Sequence, residues 1–190
     1  MKTRKNGTEI KDIQEILDKP SANHYNLDTN SFFIFDEIDQ DLAEAINSVI
    51  DFCVFKGKKE LNIFINSPGG DLFATVAIVS AMKRIKTNTF NMGFAASSAA
   101  IIFLAGDVRQ CSPYSYVMFH EGSFSTEEGN MSSVKDFIVY IEGTCDLIMR
   151  DLLKKTKLPF KEYTKKIDNK DWYISAKEAI RLKIADRIMK

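Results

Sequence analysis

Several residue types that announce specialised chemistry are scarce in this chain. Its 190 residues include three cysteines, Cys53, Cys111 and Cys145, odd in number and far apart. They have neither metal-ligand spacing nor the look of a disulfide framework, which points to a reducing compartment. There are two histidines, His24 and His120, so imidazole chemistry has almost no choice of base. Charge of one sign is missing too, with Lys+Arg and Asp+Glu both at 26. A nucleic-acid footprint would need a basic excess or stripe, and neither is there. Long hydrophobic runs are also absent. The richest, Ala95 to Ala105, would cross as a helix only about half of the ~30 Å hydrocarbon core. The start, MKTRKNG, lacks the apolar run of a signal peptide. Together these absences predict a cytoplasmic protein with no membrane and no nucleic-acid partner.

What is present is ordinary for a globular domain: 45% hydrophobic and 27% charged residues, enough chain for one core. Residues 1–30 are polar, with a weak helical pattern at Ile10, Ile13 and Ile16 stopped by Pro20, and read as an N-terminal arm. Residues 31–190 read as a single domain. SFFIF at 31–35 and LNIFIN at 61–66 have the look of strands, and TFNMG at 89–93 of a shorter one. Helical spacing follows each: Leu42 to Cys53, Leu72 to Ile85, and the apolar stretch after the two serines. VRQC and SYVMFH give two further strands, and SFSTEEGN at 123–130 a loop or projecting hairpin. An amphipathic helix starts near Ser132, a short helical piece covers 160–167, and a last helix runs from Ser175 to Ile184. Alternating strands and helices predict an α/β fold with a largely parallel sheet and crossover helices.

In such a sheet, sites form outside the carboxyl ends of strands, where turns expose backbone N–H groups. Two turns qualify. INSPGGD sets Gly69 and Gly70 where a ligand can approach the backbone, and MGFAASS puts Ser97 and Ser98 before a helix apolar on every side. A serine there is a favoured helix cap, but its hydroxyl becomes a nucleophile if a base takes the proton. His120, at the end of an apolar strand, is the better base, since His24 lies in the polar arm and reads as solvated. A catalytic imidazole needs an acid to orient it. Asp171 is preferred because Trp172, Tyr173 and Ile174 follow it where the chain re-enters the core, so partial burial is expected. The residues alone leave serine 97 or 98, His120, and an acid with Asp171 first.

INSPGGD, MGFAASSAA, YVMFHEG and DWYISAKEAIRLKIADRI, in this order, resemble the motifs of the Clp protease proteolytic subunit (ClpP) family of serine peptidases. The resemblance runs from about Phe32 to the C-terminus. It implies a ClpP/crotonase-like fold with a projecting strand–helix handle. It also implies Ser97 as nucleophile, His120 as base and Asp171 as acid, with the backbone N–H groups of Gly70 and Ser98 as the oxyanion hole. No metal or organic cofactor is needed for that chemistry. The implied function is hydrolysis of peptide bonds of unfolded polypeptides inside a homo-oligomeric chamber of stacked heptameric rings. The implied partner is a ring-shaped AAA+ unfoldase.

The chain also departs from the family pattern. Methionine and glycine usually follow the nucleophile, where this chain has Ser98, Ala99 and Ala100. After His120 the family commonly has Gln-Pro and a glycine-rich strand, here replaced by Glu121, Gly122 and SFSTEEGN. Asn169 and Lys170 keep only the positive half of an acidic–basic pair common before the acid. Residues 1–30 do not resemble the usual axial segment. These departures leave room for a non-catalytic ring subunit regulating a paralogue, for a phage-type head maturation protease, and for a hydratase or isomerase using the glycine turns on a thioester.

Overall fold

The computed structural model describes residues 24–122 and 131–190, and its sheet is ordered around one long central strand. Strands β1 (Tyr25–Asn26), β2 (Ser31–Ile34), β3 (Glu60–Ser67), β4 (Lys86–Ala96) and β5 (Val108–Cys111) lie side by side in sequence order. The pairs from β2 to β5 are parallel, and β1 is antiparallel to β2. Helices α1 (Gln40–Phe55), α2 (Leu72–Met82) and α3 (Ser98–Ala105) make the crossovers. Sequential order with crossovers of one hand puts all three on the same face of the sheet.

Local chemistry fixes where those helices begin. Asp39 caps α1 by accepting from the Leu42 N–H at 2.8 Å, and Asp71 caps α2 through Ala74 N–H at 2.7 Å. The covered face of the sheet carries Phe32, Ile34, Ile63 and Ile65, all without solvent contact, against Ile46, Ile50, Ile78 and Phe103 of the helices. The opposite face carries a row of aromatics. Phe33, Phe64 and Phe90 are neighbours across the strands, with ring centroids 5.3 and 4.6 Å apart.

β4 runs further than the TFNMG segment predicts, because it does not stop at Gly93. Its register against β3 slips between Ile65 and Ser67, so that Ser67 meets Ala95. The Asn66 side chain fills the gap by accepting from the Phe94 N–H at 3.1 Å. Beyond the slip β4 changes partner. Its first half pairs with β5 and its end with β6 (Tyr116–Phe119), both parallel. Buried Asn91 sits at this fork, donating to the Tyr116 carbonyl at 2.8 Å.

After α4 (Met131–Leu152) and α5 (Phe160–Ile167), β7 (Trp172–Ser175) returns antiparallel to β6. Ser175 caps α6 (Ala176–Arg181), shorter than the expected 175–184, and β8 (Arg187–Ile188) closes on β5. That last pairing is clamped by Arg109, only 4% exposed, whose guanidinium donates to Asp186 at 2.8 and 3.1 Å.

Two other expectations need correction. α2 ends at Met82, not Ile85. His24 is not a solvated residue, since its Nδ1 lies 2.8 Å from the Phe33 carbonyl and its ring stacks on Phe32 at 5.8 Å. Tyr25–Asn26 also belong to the sheet, paired antiparallel with β2. The helical pattern at Ile10 to Ile16, and the loop and handle strand sought at 123–130, lie outside the described residues. Among the described residues no helix is long and apolar enough to cross a membrane.

Candidate active site

Sheet register brings three of the singled-out residues to one place. Ala96 of β4 is level with Met118 of β6, and the ladder continues with Ser97 N–H donating to the Met118 carbonyl at 2.9 Å. On the other side of β6, Phe119 is opposite Trp172. One step past the end of that antiparallel ladder come His120 and Asp171. Ser97, His120 and Asp171 therefore share the carboxyl edge of the sheet, where an open α/β sheet places its sites.

Ser97 stands at the turn from β4 into α3 with φ 53 and ψ −123, a conformation that favours glycine. The capping reading fails for this residue. Its side chain makes no cap hydrogen bond among the described residues, and its Oγ lies 2.8 Å from Nε2 of His120. The opposite ring nitrogen, Nδ1, is 3.7 Å from Asp171 Oδ1, too long for a hydrogen bond but within ion-pair range. In the tautomer with its proton on Nδ1, the imidazole can accept the Ser97 proton at Nε2. Asp171 is more exposed than expected, with half of its side-chain surface open, and Tyr173 donates to its Oδ2 at 3.3 Å.

The glycine turn packs directly on this elbow. A Cβ on Gly69 would come within 2.7 Å of the Ala96 carbonyl and of Ser97 Cβ, and φ of 102 there already excludes most side chains. Gly70, at φ 151, lies so close to Ile38 that a Cβ would overlap its backbone. Ile38 holds the turn by two main-chain bonds, from its N–H to Gly69 O at 2.8 Å and from Asp71 N–H to its O at 2.7 Å. A trans peptide sets N–H and C=O in opposite directions. The Gly70 N–H, which shares a plane with the Gly69 carbonyl, therefore points away from Ile38. It has no partner among the described residues, and neither has the Ser98 N–H at the first position of α3.

Ser98 is a residue whose side-chain part the sequence reading missed. It is buried, and its hydroxyl donates to the Gly70 carbonyl at 2.9 Å. Ala99 and Ala100 behind it are fully buried, so their methyl groups fill space under the turn.

These residues open onto a cleft of about 1120 Å³. Its floor is the glycine turn, Ser97 and Phe119, and its far wall is α4 and α5, with Ile138, Ile141 and Tyr163. Cys145 also faces the cleft, but burial, followed by the charges of Asp146 and Glu142, pushes its thiol up. It stays protonated at neutral pH and is no rival to a serine activated by histidine. A hydroxyl on an imidazole, a carboxylate beyond it and two unspent N–H groups form a set suited to acyl transfer.

Comparison with known proteins gives a consistent result. The family model described as Clp protease matches residues 20–190. The chain is 31% identical to the ATP-dependent Clp protease proteolytic subunit of Aethionema cordifolium, over 83% of this chain and 82% of that protein. It is 29% identical to the protein of the same description from Pleurastrum terricola, over 76% and 77%. With that of Deinococcus radiodurans it shares 30% identity over 70% of this chain and 66% of the relative.

Proposed function

The chain belongs to the Clp protease family, and from that premise we propose that it is a serine endopeptidase acting on unfolded polypeptides inside a homo-oligomeric chamber. The observation that carries the reading is the 2.8 Å contact from Ser97 Oγ to His120 Nε2, made by a serine held in a strained backbone conformation. Strain of this kind persists where the surrounding structure enforces it, typically at reacting residues. A non-catalytic ring subunit would have no use for it.

In the proposed reaction Ser97 Oγ attacks the scissile carbonyl carbon while its proton passes to His120 Nε2. The carbonyl oxygen becomes an oxyanion, held by the N–H groups of Gly70 and Ser98. The tetrahedral species collapses, the C–N bond breaks, and His120 returns the proton to the departing amine. Water then attacks the acyl-enzyme by the same route and releases the acid. Asp171 keeps the imidazole oriented and stabilises its charged form. At 3.7 Å it has to close by roughly 1 Å to make a hydrogen bond, and assembly or substrate supplies that closure.

Assembly is supported by what one subunit leaves uncovered. A parallel sheet is normally buried on both faces, yet among the described residues no helix covers the face bearing Phe33, Phe64 and Phe90, and these rings are only partly buried. Phe35 beside it is 48% exposed, and α4 shows Val139, Tyr140 and Leu147 to solvent. Such surfaces fit subunit contacts in stacked heptameric rings and docking of an AAA+ unfoldase in the cytoplasm. The test is hydrolysis of a fluorogenic peptide and of an unfolded protein by the assembled particle. Ser97→Ala should abolish both while native mass stays the same. An unchanged rate in that variant would overturn the proposal.

A further inference from the structure

We infer that Ser98 is a positioning residue for the oxyanion hole through its hydroxyl, a role distinct from the N–H it contributes to that hole. This rests on the proposed reaction at Ser97. The two N–H donors come from different segments, Gly70 from the turn after β3 and Ser98 from the start of α3. Two successive glycines are the least restrained backbone a chain can have, so a donor carried on them needs external fixing.

Ile38 supplies that fixing from one side, through Gly69 O and Asp71 N–H. On the other side, the Ser98 hydroxyl holds the Gly70 carbonyl at 2.9 Å. With Ser98 only 5% exposed, water does not compete readily for this bond. The bond links the residues carrying the two donors and so fixes the distance and angle between them. It also gives the second serine of the MGFAASS motif a job that helix capping does not.

The experiment compares wild type with Ser98→Ala in the assembled full-length protein. It measures kcat, KM, the inhibition constant of a tripeptidyl aldehyde, and thermal midpoint. The aldehyde adds to the reactive serine and leaves an oxyanion analogue in the hole, so its affinity reads the hole itself. Deleting an oxyanion donor outright costs ~100- to 1,000-fold in kcat, and loosening one should cost about tenfold. The expected result is that loss in kcat, a matching loss in aldehyde affinity, and KM within about twofold. Wild-type kcat and aldehyde affinity in Ser98→Ala would overturn the inference, as would a kcat loss with unchanged aldehyde affinity. If Ser98→Ala does not fold, Ser98→Thr, which keeps the hydroxyl, should hold aldehyde affinity within about threefold, and a tenfold loss would overturn the inference. Failure of the underlying reading looks different, because wild type itself would then neither hydrolyse peptides nor bind the aldehyde.

Discussion

Replacing Ser97 by glycine should stabilise the protein relative to replacing it by alanine, the reverse of the usual order. Both variants lose the hydroxyl and its bond to His120, so the comparison isolates the backbone. At φ 53 and ψ −123 a residue with a Cβ carries strain of about 1–3 kcal/mol, which glycine does not. Glycine's extra freedom in the unfolded chain gives back about 0.5–1 kcal/mol. At the middle of those ranges the balance favours glycine by about 1 kcal/mol, or a few degrees in thermal midpoint for a domain of this length. The assay is thermal or denaturant unfolding of both variants at one fixed protein concentration, so that the proposed assembly weighs equally on both. An alanine variant as stable as the glycine variant, or more so, would refute the claim that the fold enforces strain at the proposed nucleophile. Both variants should be inactive.

The rest of the molecule gives further tests. Gly70→Ala should cost about 2–4 kcal/mol and most of the hydrolytic rate, because its Cβ meets the Ile38 backbone and the turn proposed to carry an oxyanion donor must move. A wild-type rate in that variant would remove Gly70 from the site. Asp186→Ala strands the buried Arg109 charge, and because Asp186 is itself partly exposed the loss should sit near the low end of the ~3–5 kcal/mol seen when a buried pair is broken. Burial works to raise the Asp186 carboxyl, but the three hydrogen bonds from the Arg109 guanidinium and backbone N–H, with the charge of Arg109, outweigh it and hold the group below its ordinary value of 3.8. Its contribution to stability is therefore full above the unfolded value and fades as pH falls through the lower folded one. Asp186→Asn should flatten that acid-side slope in denaturant midpoints, and an unchanged slope would count against the clamp.

Much of this was legible in the residues. Apolar periodicity and the two serine- and glycine-bearing turns located β2, β3, α1 to α3 and the glycine turn, because those segments are buried and locally consistent. What was hidden depends on long-range pairing. β7 is only four residues long with Ile174 alone fully buried, and its strand character comes from lying against β6. His24 looked solvated because its partner, the Phe33 carbonyl, is main chain and leaves no trace in composition. Asp171 was expected to be partly buried on account of its apolar neighbours, yet only Ile174 among them is fully buried, and half of the carboxylate side chain is open. The residues alone left Ser97 and Ser98 open, the resemblance implied Ser97, and the 2.8 Å contact of Ser97 Oγ with His120 supports that choice. The hydroxyl bond of Ser98 to the Gly70 carbonyl leaves no trace in spacing.

The most direct test of the proposed chemistry is covalent labelling of the assembled protein with a fluorophosphonate, the adduct mapped by mass spectrometry. The expected result is one adduct, on Ser97, lost in Ser97→Ala and strongly slowed in His120→Ala. An adduct on Ser98, or peptide hydrolysis that continues with no adduct on Ser97, would contradict it.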